Sequence, residues 1–477
     1  MLKQRTIAAN TSFYAVALTV QKTLSFIYFS YLARSLGTEL TGKYFFALSI
    51  AAIATAAIDL GFTPVLTREA ARERERSSEI LSQIIIFKLF LAFLVAAVLF
   101  IAIPLVIPET ILRHLLYIAV GIALADSFAL SLFATIRAHQ NLVYESIAAI
   151  LFQALVLIIG SAAIYSGADV RLITSVLLIA SVVNLIFAYL VLRRHRVRFT
   201  LSVNPALAKQ LIRFAVPFAV ATIFIKVYAY LDTVMLKFLV SDAAVGVYSV
   251  AYKITFAFQF IPMAMVAALY PVFSYTFQHQ KEGLTSTFAK SLDYLTIISM
   301  PIVFGIAAIA QEVVPDIYTT AYRGSILPLI ILISSLPFLF LNFPVGSLLN
   351  ATNRQTRQTV HLGITMVVNI ILNIILIPAL GPLGAAIAST ASTVFIFFLG
   401  IIVAHRIAPF DVSAFLRTSV KLFFIAGTMF VLVMLMKRTA PWYLAILPAI
   451  VWYAIGLQLF KIVTLKDFAD FKAMLRQ

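Results

Sequence analysis

The sequence contains no cysteine and few charged residues. None of its 477 residues is Cys, and Asp, Glu, Lys and Arg together account for only 12%. The absence of cysteine excludes a disulfide framework, a thiolate metal site and a thiol nucleophile, although it leaves the compartment open. About a quarter of the residues in a soluble domain are charged, so this composition excludes an ordinary soluble protein.

Common catalytic motifs are also missing. The chain has no P-loop, HExxH or GxSxG motif, and its six histidines are scattered. We therefore do not expect ATP to be the direct energy source, and we expect no metal site, no cofactor and no enzymatic activity. We therefore expect a protein that binds a molecule and transports it.

Hydrophobic residues make up 62% of the chain and occur in long runs. A helix needs about 20 apolar residues to cross the ~30 Å hydrocarbon core of a bilayer. Helices are expected because lipid offers no hydrogen-bond partner to the backbone. The fourteen predicted spans are approximately 7–35, 41–63, 80–105, 112–137, 145–166, 171–192, 212–239, 244–274, 285–310, 324–349, 358–379, 382–405, 413–436 and 441–461. The sequence therefore predicts an all-α polytopic membrane protein.

The basic residues predict the orientation of these spans. With a cytoplasmic N-terminus, 24 Lys and Arg residues fall in cytoplasmic segments and 8 in external ones. The positive-inside rule then places both termini in the cytoplasm. The formal net charge of +17 is mostly a topology signal, so we expect no nucleic-acid partner.

The two halves of the chain carry a weak internal repeat with an offset of 204 residues. The matching pairs are Gly42/Gly246, Tyr44/Tyr248, Ala47/Ala251, Ile50/Ile254 and Lys22/Lys226. Six spans separate the repeats, so both have the same orientation. We predict six-helix lobes at 1–200 and 201–410, two extra helices within 411–463, and an amphipathic cytoplasmic tail at 464–477 on the inner membrane surface.

Ionisable side chains inside the spans mark candidate functional sites because burying a charge in lipid is costly. They are Lys22, Lys88, Asp126, Lys226, Asp232 and Lys253. Depth along neighbouring helices allows two structural ion pairs, Lys88 with Asp126 and Asp232 with Lys253. If either aspartate is unpaired, it is instead a candidate carrier of the coupling ion.

Lys22 and Lys226 lie near the middle of their spans without a carboxylate at the same depth. A lysine this far from a helix end can hardly extend to the interface, so each is either a packed neutral lysine or faces water or an anion. The second alternative predicts a cationic site at the midplane for phosphate or pyrophosphate. Tyr230 is four residues from Lys226 on the same helix face. It is either a sugar-stacking ring or an interface residue.

Three segments of the sequence are distinctive, namely LARSLGTELTGKYFFALSI, DLGFTPVLTREAAR and VVNIILNIILIPALGPLGAAIAST. They resemble the polysaccharide transporter family, the O-antigen and exopolysaccharide flippases of the multidrug/oligosaccharidyl-lipid/polysaccharide exporter superfamily. The closest signature consists of Asn369, Asn373, Pro378, Gly381, Gly384 and Ala385. It is typical of the superfamily and does not identify the glycan.

This resemblance implies two six-helix lobes that form a V, with spans 1, 2, 7 and 8 lining a central cavity. It implies that a polyprenyl-pyrophosphate-linked oligosaccharide crosses the cytoplasmic membrane by alternating access during cell-surface polysaccharide biosynthesis. An H⁺ or Na⁺ gradient or the membrane potential would drive the step. The expected partners are membrane lipids, a polysaccharide polymerase and glycosyltransferases. Lys22, Lys226 and Lys253 lie on the cavity-lining spans, and lysines without arginine favour point-charge attraction over bidentate capture.

Other functions remain open at this point. A cation-coupled multidrug extruder of the same superfamily would be expected to present acidic residues to a lipophilic cation, whereas this interior is net cationic. A flippase for the peptidoglycan lipid precursor would use the same cationic chemistry. A membrane enzyme or an assembly scaffold is the third alternative, and the missing catalytic groups argue against the enzyme.

Overall fold

A computed structural model describes residues 7–139, 141–194, 197, 204–279 and 281–462. Within these ranges the chain is helical and contains no strand, which confirms the all-α class. The helices are α1 Ile7–Asp59, α2 Phe62–Arg72, α3 Ser77–Val106, α4 Thr110–Ala138, α5 Val143–Tyr165, α6 Val170–Arg194, α7 Pro205–Leu239, α8 Asp242–Ala257, α9 Phe260–His279, α10 Lys281–Tyr318, α11 Ile326–Ser334, α12 Leu336–Ala351, α13 Gln355–Leu380, α14 Pro382–Ile407, α15 Val412–Met436 and α16 Ile446–Leu459. The predicted tail at 464–477 lies outside the described residues.

The described residues contain 13 helical segments that are long and apolar enough to cross a membrane. The first of these, Val16–Asp59, has 44 residues. At about 1.5 Å per residue it is roughly twice as long as one crossing requires. Its helix is interrupted at Gly37, whose φ of 74° and ψ of 178° suit glycine alone. This segment therefore holds two of the predicted spans, and the fourteen-span prediction is confirmed.

The chain packs as two compact units. The first comprises Met1–Phe260 and Leu362–Ala385, and the second comprises Ile261–His361 and Ala386–Gln477. All the candidate site residues named from the sequence lie in the first unit. The predicted lobe boundaries and the V arrangement remain predictions.

The first unit has a packed interior and an apolar outer surface. One core of this unit joins α2, α3, α4 and α7 through residues such as Leu66, Leu81 and Leu132. On α3, by contrast, Phe93 and Leu105 are 75% and 80% exposed. Exposed apolar side chains in this number would be a liability in water, but they are what a lipid-facing helix requires.

The second unit has its own core around α10, α15 and α16, which includes Leu422, Met429 and Tyr453. Polar contacts also join these helices. The Tyr453 hydroxyl donates to the carbonyl of Ile297 at 2.8 Å, and Lys437 pairs with Glu312 at 3.0 Å. The polar groups in these contacts are therefore satisfied within the unit.

Helices α1 and α8 cross at two glycines with their backbones in contact. A Cβ on Gly42 would lie 1.8 Å from the carbonyl oxygen of Asp242, and a Cβ on Gly246 would lie 1.9 Å from that of Thr38. Small residues permit such close approach between helices in a membrane. These are the two glycines matched by the internal repeat, so equivalent positions of the two repeats meet at this crossing.

We predict that Gly42→Ala lowers the melting temperature of the purified protein, because the added methyl group must push the two backbones apart. Overpacking of this kind costs about 1–3 kcal/mol. Gly427→Ala is the matched control, since no described atom lies within 4 Å of a Cβ at that helical position. Thermal unfolding in detergent measures both variants, and equal melting temperatures for the two would contradict the close crossing.

Candidate functional site

Lys88 is the most deeply buried of the intramembrane lysines, with 0% exposure. Its Nζ donates to Asp59 Oδ1 at 2.9 Å, to the Ser127 carbonyl at 2.5 Å and to Ser131 Oγ at 2.8 Å. The Lys88–Asp126 pair suggested from helix depth is therefore wrong. Asp59, and not Asp126, is the carboxylate that pairs with Lys88, because α1 ends beside α3 and α4. With three oxygen partners the Lys88 ammonium is fully satisfied, and its role is structural.

Asp232 belongs to a buried polar cluster. Its Oδ2 accepts from the Tyr248 hydroxyl at 2.7 Å, and its Oδ1 accepts from Asn373 Nδ2 at 2.6 Å. The same Nδ2 also donates to Asn369 Oδ1 at 3.0 Å. We call Asp232, Tyr248, Asn369 and Asn373 the carboxylate–amide cluster.

The predicted Asp232–Lys253 pair is also wrong. Lys253 Nζ lies over aromatic rings instead, 5.3 Å from the centre of Phe29 and 5.9 Å from that of Phe45. Helix geometry explains the difference. Tyr248 and Lys253 are five residues apart and so point about 140° away from each other around α8. Since Tyr248 faces Asp232, Lys253 faces elsewhere.

Lys22, Lys226 and Lys253 lie on α1, α7 and α8 of the first unit, and we call them the lysine triad. The Lys22 ammonium is close enough to repel both of the others. None of the three ammonium groups makes a hydrogen bond or an ion pair with any residue that the structure describes. The triad therefore differs from Lys88, because Lys22 is exposed, Lys226 and Lys253 are partly exposed, and none of the three has a carboxylate partner among the described residues.

Tyr230 lies beside the triad. Lys226 Nζ is 5.9 Å from the centre of the Tyr230 ring, as expected for residues four apart on one helix face. A ring in this position provides a modest cation–π contact and leaves the ammonium free to bind an anion. The role of Tyr230 as a substrate contact remains a prediction.

Asp126 lines a cavity of about 240 Å³ inside the first unit, and Lys253 lines the same cavity. The structure thus brings Asp126 near one member of the lysine triad through a shared space, whereas the sequence placed it beside Lys88. Asp232 belongs to the separate carboxylate–amide cluster. The two candidate ion carriers therefore occupy different surroundings.

Sequence reasoning missed Asp59 and Gln153 as polar groups of the membrane interior. It noted Asn369 and Asn373 only as part of a family signature. A detectable signal was present, because the two asparagines are four residues apart in an otherwise apolar span and must share a helix face. Gln153 is likewise an isolated amide in an apolar run.

We predict that Lys88→Met destabilises the protein by about 3–5 kcal/mol, because it leaves the buried Asp59 carboxylate uncompensated. The double variant Lys88→Met/Asp59→Leu should recover part of this loss, since it removes both charges. Thermal unfolding measures the two variants. Lys22→Met is the control and should unfold close to the wild-type temperature. A Lys88→Met variant as stable as this control would contradict the structural role.

Comparison with solved structures supports the class of protein. The chain superposes on a structure described as the lipid II flippase MurJ in an inward closed conformation, with a TM-score of 0.78 and 15% identity, over 94% of this chain and 98% of that one. At this identity the likeness shows the fold alone. The chain is thus a multi-span helical membrane protein with the fold of a membrane transporter.

The sequence matches the family described as polysaccharide biosynthesis protein over residues 7–277, and the chain belongs to that family. A second match, to the MatE family, covers residues 217–375. These findings confirm the resemblance stated from the sequence.

Two curated relatives come from Haloferax volcanii. The probable flippase AglR is 29% identical over 191 residues, which is 38% of each chain. The probable low-salt glycan biosynthesis flippase Agl15 is 24% identical over 166 residues, which is 35% of each chain. The matched regions thus span little more than a third of these relatives.

Proposed function

We propose that this protein is a flippase that moves a polyprenyl-pyrophosphate-linked oligosaccharide across the cytoplasmic membrane for cell-surface polysaccharide biosynthesis. The observation that carries the proposal is the uncompensated lysine triad. Lys22 is exposed and Lys226 and Lys253 are partly exposed, so their side chains face open space within the membrane-spanning part of the chain. Ammonium groups at this depth that have no carboxylate partner favour an anion as their ligand. A pyrophosphate carries several negative charges and is shared by all lipid-linked substrates of this class.

The intramembrane lysines are of two kinds, which differ in their hydrogen-bond and ion-pair partners. Lys88 has its carboxylate, its hydroxyl and its carbonyl, and it has no need of a ligand. The triad has none of these partners in the part of the chain that is described, although its members repel one another. Selection for stability alone would not place like charges near one another, because they repel. Both curated relatives are named as probable flippases, which supports the proposal that this protein is also a flippase.

Two close contacts support alternating access. One is the Gly42–Gly246 crossing. The other joins the turn between α1 and α2 to α7, where a Cβ on Gly61 would lie 2.4 Å from the backbone nitrogen of Ala219. Lys226 lies on the same helix as Ala219, about 10 Å further along α7 at 1.5 Å per residue. We propose that the two contacts separate in turn. The distribution of basic residues favours cytoplasmic termini, and a polymerase and glycosyltransferases are the partners that this role requires.

We propose the carboxylate–amide cluster as the coupling site. Asp232 brings a carboxylate and Asn369 brings an amide oxygen, and the Asn373 amide nitrogen donates to both. Oxygen ligands of this kind suit Na⁺, and the carboxylate alone can carry H⁺. Asp126, which faces the cavity, is the second candidate for this role.

The double variant Lys22→Gln/Lys226→Gln should reduce flipping at least about tenfold, because it removes two of the three charges that face the pyrophosphate. Proteoliposomes with a fluorescent polyprenyl-diphosphate oligosaccharide measure the rate. Lys209→Gln, an exposed lysine near the start of α7, is the matched control and should retain the wild-type rate. Equal flipping rates for the double variant and the control would contradict the proposed anion site.

Asp232→Asn should remove the response of flipping to an imposed Na⁺ or H⁺ gradient, because the neutral amide cannot hold the coupling cation. We expect glycolipid binding to remain within about twofold of wild type, since Asp232 lies in its own cluster. Asp169→Asn, on the connection between α5 and α6, is the control. If Asp232→Asn keeps its full response to both gradients, the coupling site lies elsewhere.

A drug extruder is the second candidate, and the MatE match over residues 217–375 favours it. Such a protein must bind a lipophilic cation. The lysine triad would repel that substrate, which is why we rank the flippase first. Efflux of a cationic dye by proteoliposomes, unaffected by an added glycolipid, would reverse this order.

A further inference from the structure

The internal repeat relates two members of the carboxylate–amide cluster to two tyrosines of α1. The repeat offset of 204 residues carries Tyr28 onto Asp232 and Tyr44 onto Tyr248. Each pair joins one predicted span to the next along the chain, and its two members are 16 residues apart. The two pairs are therefore candidates for equivalent sites in the two repeats.

The contacts of the two pairs agree with this relation. The Tyr248 hydroxyl donates to the Asp232 carboxylate at 2.7 Å. At the equivalent place in the first repeat, the Tyr44 hydroxyl is adjacent to that of Tyr28. All four side chains are at most 4% exposed. The repeat is thus present in the packing as well as in the sequence.

A third helix completes each site, and here the repeats differ. In the second repeat α13 contributes Asn373, whose Nδ2 donates to Asp232 Oδ1 at 2.6 Å. The equivalent helix of the first repeat is α5, because α5 and α13 hold the fifth and eleventh predicted spans. It contributes Gly160, and a Cβ there would lie 2.5 Å from the Tyr28 ring. An asparagine on α5 therefore cannot coexist with this ring.

The two sites differ in their capacity to bind a cation. The site of the second repeat holds the Asp232 carboxylate, and the buried Asn373 Oδ1 has no hydrogen-bond partner among the described residues. Oxygen atoms with a negative charge among them suit Na⁺. In the first repeat the buried Tyr28 Oη likewise finds no partner of ordinary hydrogen-bond geometry in the described part of the chain. A phenol is neutral at physiological pH, however, so it does not offset the charge of an ion.

We infer that Tyr28 and Gly160 prevent the first repeat from binding Na⁺, so that the protein carries one coupling-cation site instead of a symmetric pair. The phenol replaces the carboxylate, and the glycine makes room for its ring. These two residues thereby determine how many cations accompany each transport cycle. The inference rests on the proposed function, which assigns the coupling cation to the carboxylate–amide cluster. It adds the number of cations and the residues that limit this number.

The first repeat retains the other parts of such a site. Tyr44 already lies where Tyr248 lies in the second repeat, and it lines the cavity of about 240 Å³ together with Tyr28. Tyr28→Asp/Gly160→Asn would therefore copy the second repeat into the first. The two substitutions fit as a pair, because the shorter aspartate removes the ring that a side chain at position 160 would strike.

Equilibrium dialysis of the full-length protein against radiolabelled Na⁺ counts the bound ions. We expect about one Na⁺ per chain in the wild type and almost none in Asp232→Asn, because the carboxylate is lost. Tyr28→Asp/Gly160→Asn should bind about twofold more Na⁺ than the wild type, since it adds a second carboxylate and amide. Half of this amount should remain when Asp232→Asn is added. Tyr28→Phe, which keeps the ring, is the matched control and should bind as much as the wild type.

The wild-type count needs no substitution and decides the first part of the inference. Two Na⁺ per wild-type chain would overturn the inference and leave the proposed coupling site standing. Loss of one of them in Asp126→Asn would assign the second ion to that carboxylate, which lines the same cavity. No Na⁺ bound by the wild type would instead overturn the Na⁺ site of the proposed function.

The variants decide the second part, the role of Tyr28 and Gly160. A Tyr28→Asp/Gly160→Asn protein that melts at the wild-type temperature and still binds a single Na⁺ would overturn this role. If the double variant melts early, Tyr28→Asp alone keeps the native glycine. It should still bind more Na⁺ than the wild type, and an unchanged count would equally overturn the role.

Discussion

The structure of the first unit depends on the cost of placing a charge in hydrocarbon. Each ionisable group there must be paired, hydrogen-bonded or exposed to a polar space, because lipid supplies no compensation. Lys88 satisfies this constraint with Asp59 and two serines. Asp232 satisfies it with Tyr248 and Asn373. The lysine triad satisfies it by exposure, because Lys22 is exposed, Lys226 and Lys253 are partly exposed, and Lys253 lines a cavity. Charges that face open space without a protein partner can bind a ligand.

A second constraint, close backbone packing, fixes the positions of α7 and α8, which carry two lysines of the triad. Helices in a membrane gain little from the hydrophobic effect, so they associate where small residues allow their backbones to touch. Gly42 and Gly246 provide such a contact between the second half of α1 and α8, and Gly61 provides one between the turn that follows α1 and α7. The helices that carry Lys226 and Lys253 are thereby held against neighbouring parts of the chain.

The sequence predicted the spans correctly because hydrophobic length is a one-dimensional property. Even the break between the first two spans was predicted, and the structure places it at Gly37. The ion pairs could not be predicted in the same way. Depth along a helix says nothing about direction around it, so Asp126 was matched with Lys88 and Asp232 with Lys253. Asp59 was missed because it lies near a helix end, where a carboxylate is unremarkable in sequence.

The candidate site was predicted in part by the same reasoning. The internal repeat related Lys22 to Lys226 and identified two members of the triad, while Lys253 joined them only through the family resemblance. The cavity that Lys253 shares with Asp126 and Gln153 was not predictable, since its walls come from helices far apart in sequence. Residue spacing along one helix shows which side chains share a face, but it does not show a cavity whose walls come from several helices.

A cryo-electron microscopy structure of the protein with a polyprenyl-diphosphate oligosaccharide tests the central claim most directly. The account predicts density for the two phosphates within hydrogen-bond distance of the ammonium groups of Lys22, Lys226 and Lys253. Phosphate density elsewhere, with the three lysines still unliganded, would contradict it.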